Sequence, residues 1–311
     1  MQYRVLGATG VKVSALAYGG SSLGSEFRPI DEAEGIRSVH TALDHGINLI
    51  DTAPYYGRTT AEIVLGKALK GVRRDRYVLA TKVARHGKTQ AEFDFSAARV
   101  KKCVDESLAR LGVDHVDFIQ VHDMEFGDIE QIITETIPAL REVQKAGKAR
   151  FVGITCLPVK LFRQVMDRVA VDQIQNYCHY CLNDTALADI LPYLKEKNVG
   201  IFNSAPLAMR LLSNEGPPEW HPAPAALKQK CAEAAQLCRS RGTDLGRLAL
   251  QFAMANPDIH THIVGTASSR RVLENIADAE APLDRELLEA VLKILEPVHN
   301  VTWSSGRPEN N

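Results

Sequence analysis

The chain has 311 residues, of which 45% are apolar and 24% are charged, and its formal net charge is −1. This length is enough for one large domain or two small ones, and the near-zero charge favours neither nucleic acid nor an anionic membrane surface as a partner. The N-terminus shows no basic segment followed by an apolar stretch, and no apolar run approaches the ~20 residues of a membrane-spanning helix. We therefore expect a cytoplasmic protein.

The cysteines fit the same expectation, because free thiols in a reducing compartment are the default for cysteines scattered through a large chain. The six cysteines are residues 103, 156, 178, 181, 231 and 238. Cys178 and Cys181 have the spacing of a redox or zinc pair, but the sequence has no second pair at matching spacing. We expect no metal site.

The predicted elements alternate between short apolar strands and amphipathic helices along nearly the whole chain. Residues 2–13 (QYRVLGATGVKV) predict two short strands around a glycine turn. Eight further strands are predicted, at residues 15–20, 47–52, 77–82, 116–122, 149–155, 172–177, 200–206 and 260–266. A helical pattern follows each of them, and a Pro-rich excursion (residues 207–226) follows the seventh.

The helical patterns carry their own boundary signals. After the third strand, apolar residues recur at intervals of three and four between residues 100 and 111, which marks one buried helix face. Asp31 and Ser96 stand where N-caps belong, and Gly46 and Gly112 stand where C-caps belong.

Eight strand–helix units with near-continuous apolar strands favour an α/β fold of the closed (β/α)8 TIM barrel type over an open doubly wound sheet. We expect one domain over residues 1–311, with the hairpin at residues 2–13 plugging the bottom of the barrel.

Polar side chains stand at the carboxyl ends of three consecutive predicted strands, where barrel enzymes place their chemistry. Asp51 ends the second strand, Lys82 the third and His122 the fourth, and Tyr56 follows Asp51 in the loop. Asp51 and Lys82 can pair, and Tyr56 can reach the ammonium group. An adjacent cation and an imidazole would lower the pKa of the phenol by about one to three units, which would let Tyr56 exchange a proton near neutral pH.

Each of these residues also has a structural interpretation. Asp51 could be a helix cap or a barrel salt bridge, His122 a satisfied interior histidine, and Tyr55 a rival to Tyr56. The upstream GGSSLG (residues 19–24) loosely matches a dinucleotide fingerprint, in which Asp51 would bind ribose, but a lone match of this kind is weak.

DTAPYYG (residues 51–57) resembles the motif D-T-A-x-x-Y-G of the aldo-keto reductase family, and Lys82 and His122 fit the same family. FDFSAARV, VHDMEFG, GPPEWHPA and EPVHNVTW resemble segments of the subgroup that oxidises L-galactose at C1. The resemblance implies a (β/α)8 barrel that binds a nicotinamide dinucleotide at its mouth. It also implies that Asp51, Tyr56, Lys82 and His122 form the catalytic tetrad.

The resemblance implies a set of cofactor contacts as well. Thr155 and Cys156 stand where the family has a serine–asparagine pair, Ser204 stands where it often has an aromatic ring, and Gly265 stands where members that bind a 2′-phosphate usually have a lysine. Arg271, beside Arg270, is the one cation retained for a 2′-phosphate. Because the lysine is missing, the resemblance predicts NAD over NADP. The implied cofactor residues are Gly20, Ser21, Ser22, Asp51, Thr155, Gln175, Ser204, Pro206, Leu207, Gly265, Arg271, Glu274 and Asn275.

The implied reaction is oxidation of the anomeric carbon of an aldose to a lactone, with L-galactose favoured over L-fucose, D-arabinose or related sugars. The alternatives are an NADPH-dependent carbonyl reductase on the same barrel and a regulatory barrel that keeps the cofactor but turns over poorly. Candidate substrate contacts are Tyr55, His122, Asp123, Trp220 and His221. The excursion that carries Trp220 could instead pack on itself, and the sequence leaves a monomer and a homodimer equally open.

Overall fold

A computed structural model describes residues 1–25 and 29–311 of the chain. Before the barrel, β1 (Tyr3–Val5) and β2 (Lys12–Ser14) form an antiparallel hairpin. Leu6, just after β1, is fully buried and packs in one apolar cluster with Leu49, Phe118 and Phe202 of the barrel strands. The hairpin therefore closes the bottom of the barrel, as the sequence predicts.

The central sheet is a closed barrel of eight parallel strands in the order β10-β3-β4-β5-β6-β7-β8-β9. Its strands are β3 (Leu16–Gly19), β4 (Leu49–Asp51), β5 (Val78–Val83), β6 (Val116–Val121), β7 (Ala149–Cys156), β8 (Gln173–Tyr177), β9 (Gly200–Ser204) and β10 (Thr261–Gly265). Each strand lies within two residues of its predicted bounds, because a near-continuous apolar run is the pattern of a strand buried on both faces. The closed barrel is confirmed and the open sheet is wrong.

Helices cover the outside of the barrel. They are α1 (Glu32–Asp44), α2 (Thr60–Leu69), α3 (Ala97–Leu111), α4 (Ile129–Gln131), α5 (Ile137–Lys145), α6 (Lys160–Met166), α7 (Leu191–Glu196), α8 (Ala225–Ser240), α9 (Leu245–Met254), α10 (Ser269–Glu280) and α11 (Arg285–Leu295). A π-helical turn, Ile132–Thr136, joins α4 to α5.

The helix boundaries follow the predicted capping residues in three of four cases. The side chains of Asp31 and Ser96 accept backbone hydrogen bonds at the starts of α1 and α3, and Gly112 ends α3 in the left-handed conformation. Helix α1 ends at Asp44 with His45 as its C-cap, and Gly46 follows the cap in the left-handed conformation. The recurring apolar residues of α3, which are Val100, Cys103, Val104, Leu108 and Leu111, are buried on one face, as predicted.

Two irregular segments lie beyond the regular units. Residues 205–224, between β9 and α8, pack through Leu211, Leu212 and Ala223 against α8 and α11. Residues 299–311, which we call the C-terminal segment, fold back onto the loop after β6, where Asn310 Nδ2 donates to the Glu125 carbonyl oxygen at 2.7 Å. Among the residues that the structure describes, no helix is both long and apolar enough to span a membrane.

Candidate active site

Two oppositely charged side chains meet inside the barrel mouth. Asp51 is the last residue of β4, and Lys82 lies one residue before the end of β5. Lys82 Nζ is 2.6 Å from Asp51 Oδ2 and donates to the Thr52 carbonyl oxygen at 2.8 Å. The two side chains are only 1% and 3% exposed, so each charge requires the other to offset its desolvation. The predicted pair is confirmed.

Lys82 is charged at neutral pH. Burial by itself would lower the pKa of Lys82, but the neighbouring Asp51 carboxylate and, to a smaller degree, Tyr56 outweigh burial, so the pKa of Lys82 is raised. Lys82 is therefore an ammonium ion, and its Nζ atom lies 3.4 Å from the Tyr56 hydroxyl oxygen.

Two glutamines hold the Asp51 carboxylate in place. Gln120 Nε2 donates to Asp51 Oδ1 at 3.1 Å, and Gln175 Nε2 approaches Asp51 Oδ2 at 3.4 Å. Sequence reasoning missed Gln120. Its signal was its position two residues before His122, because alternate residues of a strand share one face and this face points into the barrel.

The environment of Tyr56 corrects one expectation. Burial raises the pKa of the Tyr56 phenol, and the lowering effect of Lys82 is smaller and is further opposed by the Asp51 and Asp123 carboxylates. The predicted lowering of the pKa of Tyr56 is therefore wrong. The sequence showed the ammonium group but gave no measure of desolvation.

A glycine contact sets the position of Tyr56. Gly57 has φ of +59°, and a Cβ added there would lie 1.9 Å from the Gly24 carbonyl oxygen. Gly24 ends the 3-10 turn Gly20–Gly24, so its backbone lies directly against the chain that carries the tyrosine. The glycine-rich stretch after β3 thus makes room for the Tyr56 loop, and only glycine fits at residue 57.

His122 lies between the two tyrosines. Its ring centroid is 5.9 Å from that of Tyr55 and 5.8 Å from that of Tyr56, both edge-on. Burial, helped by Lys82 and Arg85 and opposed by Asp123, lowers the pKa of His122 to about 3. Its Nδ1 atom is buried without a hydrogen-bond partner among the described residues. His122 is thus a neutral imidazole with unused hydrogen-bonding capacity, and not the satisfied interior histidine of the structural interpretation.

A second charged group borders His122 on the side away from Lys82. Asp123 is buried and forms an ion pair with Arg85, whose guanidinium carbon lies 3.7 Å from the centroid of the Tyr55 ring. Sequence reasoning singled out Tyr55 and Asp123 but missed Arg85, because it lies two residues beyond the end of β5.

Glu125 completes this side of the mouth as a buried acid. Its Oε1 atom accepts from the Leu157 amide at 3.2 Å, the Tyr177 hydroxyl at 3.2 Å and the Ser305 hydroxyl at 3.1 Å. Burial, followed by the negative charge of Asp123, raises the pKa of Glu125 to about 8. Glu125 is therefore mostly a neutral acid at neutral pH, covered by the C-terminal segment.

The predicted nicotinamide contacts form a polar rim at the ends of β7, β8 and β9. Thr155 Oγ1 accepts from the Asp123 amide at 2.9 Å, and Gln175 Nε2 donates to Ser204 Oγ at 2.7 Å. Cys156 is fully buried, and its thiol lies 3.4 Å from the Pro158 carbonyl oxygen, outside this rim. Gln175 Oε1 is buried without a partner among the described residues. A carboxamide N–H fits this acceptor, so the residues present suit a nicotinamide group.

The remaining predicted cofactor residues lie at or after the ends of β3, β9 and β10. A Cβ added at Gly265 would lie 2.9 Å from Ser21 Oγ, which brings the end of β10 close to the loop after β3. Arg270 and Arg271 both pair with Glu274, at 3.2 Å and 3.1 Å. The other members of this group are Gly20, Ser22, Pro206, Leu207 and Asn275, of which Gly20 and Pro206 are buried.

The two excursion residues differ in their surroundings. Trp220 is 53% exposed. His221 is buried, with Nε2 2.9 Å from the Ala208 carbonyl oxygen and Nδ1 accepting from the Ala223 amide at 3.1 Å. Its ring also packs edge-on against Trp303, 5.2 Å away. Both polar atoms of His221 thus stabilise the excursion itself, which leaves none for a sugar hydroxyl, contrary to the expected substrate contact.

The cysteine pair of the sequence is buried in the loop that follows β8. The Cys181 thiol contacts the Cys178 carbonyl oxygen at 3.2 Å and Asn183 Oδ1 at 3.4 Å, and burial raises the pKa of both thiols. Both residues are therefore inert thiols in the packing of this loop.

The fold and the four grouped side chains define a class of protein. The model of the aldo/keto reductase family matches residues 15–296, and the chain belongs to this family. It is therefore an oxidoreductase of a family that works with a nicotinamide cofactor.

Curated and structural relatives agree with this membership. The chain is 48% identical to an L-galactose dehydrogenase of Arabidopsis thaliana, over 100% of this chain and 99% of the relative. It is 30% identical to a D-arabinose 1-dehydrogenase of Saccharomyces cerevisiae, over 95% of each chain. An aldo-keto reductase of Bacillus halodurans, solved in its holo form, superposes with a TM-score of 0.81 at 29% identity and 99% coverage of both chains.

Proposed function

We propose that this protein oxidises the anomeric carbon of an aldose to a lactone with NAD, and that L-galactose is its preferred substrate. The observation that carries the proposal is the buried Lys82–Asp51 pair with the Tyr56 hydroxyl 3.4 Å from the ammonium nitrogen. Full-length 48% identity to an L-galactose dehydrogenase supports the choice of sugar.

The side chains at the barrel mouth have separate roles in this reaction. The bound nicotinamide supplies the hydride acceptor. As C1 loses its hydrogen with both bonding electrons, the Tyr56 phenolate takes the proton of the anomeric hydroxyl, and a C1–O double bond forms. Lys82 stabilises the phenolate, Asp51 holds Lys82, and neutral His122 orients the sugar hydroxyl. Since the pKa of Tyr56 is raised, the phenolate is the minor form at neutral pH, and the oxidation rate should increase as the pH rises.

The cofactor would extend across the mouth. The nicotinamide end would lie against Gly20, Ser21 and Ser22, Thr155, Gln175 and Ser204, with Pro206 and Leu207 beside it, and the adenosine end against Gly265, Arg271, Glu274 and Asn275. Two features support NAD over NADP. Gly265 offers no cation, and Arg270 and Arg271 already share Glu274, which a 2′-phosphate would have to displace.

The test is a panel of aldoses assayed with NAD and with NADP, with NADH or NADPH formation measured by absorbance. We expect the highest kcat/KM for L-galactose with NAD, and lower values for L-fucose and D-arabinose. A large preference for NADP would contradict the cofactor assignment. Absence of turnover with every aldose, despite NAD binding, would contradict the reaction.

We further propose that residues 1–311 act as one domain, since every proposed site residue belongs to a single closed barrel.

A further inference from the structure

We propose that Arg85 is a positioning residue for this reaction, which holds Asp123 and Tyr55 in place around His122 and balances the charge beside the imidazole. The inference rests on the proposed function, in which His122 orients the sugar hydroxyl. Its structural basis, however, is independent of which sugar is oxidised, because it concerns only the contacts of the side chains on this side of the mouth.

Arg85 lies among three aromatic rings. Its guanidinium carbon is 3.7 Å from the centroid of Tyr55, 5.3 Å from that of Phe93 and 5.6 Å from that of Phe126. The Arg85 side chain is 18% exposed and pairs with the Asp123 carboxylate, whose side chain is 6% exposed. One planar cation therefore stacks on the ring of Tyr55 and binds the carboxylate at the same time, which lysine could not reproduce.

The backbone on both sides of this ion pair adopts an uncommon conformation. Ala84, next to Arg85, has φ of +77°, and Asp123 has φ of +48°. The left-handed conformation costs energy for residues other than glycine, and it persists only where the surrounding structure enforces it. Arg85 is also fixed by an antiparallel bridge to Phe93. The chain thus accepts strain at two places to bring this pair together beside the tetrad.

The Arg85–Asp123 ion pair sets the net charge beside the His122 imidazole. Asp123 Oδ2 lies 3.7 Å from His122 Nε2. The titratable groups around the imidazole are Asp123 on its own segment, Lys82, Arg85 and His86 from the β5 side, and Tyr55 and Tyr56 from the loop after β4. A lone carboxylate at this distance would favour imidazolium, whereas the Arg85 cation on the same carboxylate offsets that attraction. Neutral His122 can then orient a sugar hydroxyl without adding a positive charge next to the hydride donor carbon.

The experiment compares four variants of the full-length protein. Arg85→Met removes the cation and keeps much of the side-chain length, Arg85→Lys keeps the charge, and Arg85→Met/Asp123→Asn removes both charges. The control is Arg150→Met, because Arg150 also pairs with a buried aspartate, Asp117, at 2.7 Å and also lies over an aromatic ring, that of Phe151, at 5.3 Å. Arg150 belongs to the start of β7, at the opposite end of the barrel.

Two readouts are measured for each variant. The first is the pH profile of kcat/KM for aldose oxidation. The second is the titration of the His122 imidazole by NMR, with its signal assigned by its loss in a His122→Gln variant. We expect Arg85→Met to lower kcat/KM about 100-fold, as displaced catalytic groups typically do, and to move the His122 titration upward towards neutral pH. Arg85→Lys should keep His122 neutral but lose part of kcat, and the double variant should return the titration to acid pH.

The inference is overturned if Arg85→Met matches Arg150→Met in its pH profile and leaves the His122 titration unchanged. If Arg85→Met does not fold, the other two variants still test the inference. An unchanged kcat in Arg85→Lys would contradict it. A His122 titration or a pH profile of kcat/KM in the double variant that differs from those of the wild type would also contradict it. A wild-type protein without aldose oxidation would contradict the proposed function only, because the NMR titration still reports whether Arg85 governs His122.

Discussion

At the scale of single residues, proton transfer and charge retention are assigned to different side chains. Tyr56 is half-buried and its phenol is protonated at rest, whereas Lys82 and Asp51 are buried and form an ion pair. Removing the hydroxyl and removing the ammonium group should therefore have different consequences, one for turnover and the other for stability as well.

Tyr56→Phe should lower kcat by at least about 100-fold, the contribution typical of a general acid or base, and should leave the affinity for NAD nearly unchanged. The measurements are steady-state kinetics and titration of NAD by quenching of protein fluorescence. Tyr55→Phe is the matched control, since it keeps the ring that stacks on Arg85. Should Tyr55→Phe lose turnover while Tyr56→Phe retains it, the two tyrosines have exchanged roles.

Lys82→Met should destabilise the fold by about 3–5 kcal/mol, because it leaves the Asp51 carboxylate buried without its cation. Lys82→Met/Asp51→Asn should recover most of the free energy of unfolding but no activity. Urea denaturation of both variants provides the comparison. A double variant as unstable as the single one would show that the lost stability comes from packing and not from an unpaired charge.

At the scale of elements, the strand ends fix the site and the loops refine it. The tips of β4, β5 and β6 could be located from the sequence, because buried parallel strands are near-continuous apolar runs and a polar side chain, Asp51, Lys82 or His122, stands at or beside the end of each run. The loop contacts could not. Nothing in the order of residues shows that Gly24 lies against Gly57, or that Arg85 turns back onto Tyr55, since both depend on the packing of segments far apart in the chain.

The two larger errors have the same origin. The pKa of Tyr56 depends on how much water reaches the phenol, and the role of His221 depends on which backbone groups surround its ring. Both are properties of burial. The identity of neighbours in the motif indicated which charges would be present, but the balance between charge and desolvation requires coordinates.

Gly57→Ala should lower kcat by about 100-fold and should lower thermal stability more than Gly71→Ala does, because the added methyl group meets the Gly24 backbone and forces the Tyr56 loop away from it. Gly71→Ala is the matched control. Gly71 has φ of +82°, but a Cβ there would meet nothing within 4 Å. If both variants lose the same fraction of kcat, the loss comes from backbone strain in general and the Gly24 contact has no special role.

At the scale of the whole molecule, the mouth is assembled from segments that are far apart in the sequence. Closure of the barrel pairs Leu16 with His262, and Glu125 meets Ser305 from 180 positions away. Distant contacts of this kind form late in folding, because a long loop must close before they contribute.

Glu125→Gln should change how stability depends on pH. The pKa of Glu125 is about 8 in the fold and 4.5 is its ordinary value, so the unfolded chain releases this proton first as the pH rises. Between these values the free energy of unfolding of the wild type should fall relative to the variant, by at most about 1.4 kcal/mol per pH unit. Chemical denaturation at several pH values measures the difference.

The control is Glu130→Gln. Glu130 is exposed and pairs with Arg168, whose hydrogen bonds lower the pKa of Glu130, so it does not titrate in this range. Its stability curve should run parallel to that of the wild type. Parallel curves for Glu125→Gln as well would mean that Glu125 is ionised in the folded protein.

Docking of the C-terminal segment should be coupled to the uptake of a proton. Ser305 and Asn310 hold this segment on Glu125, and burial favours the neutral form of the Glu125 carboxyl group. Undocking of residues 299–311 should admit water to this group and release its proton at neutral pH. Calorimetry of segment docking should consequently show a heat that changes with the ionisation enthalpy of the buffer.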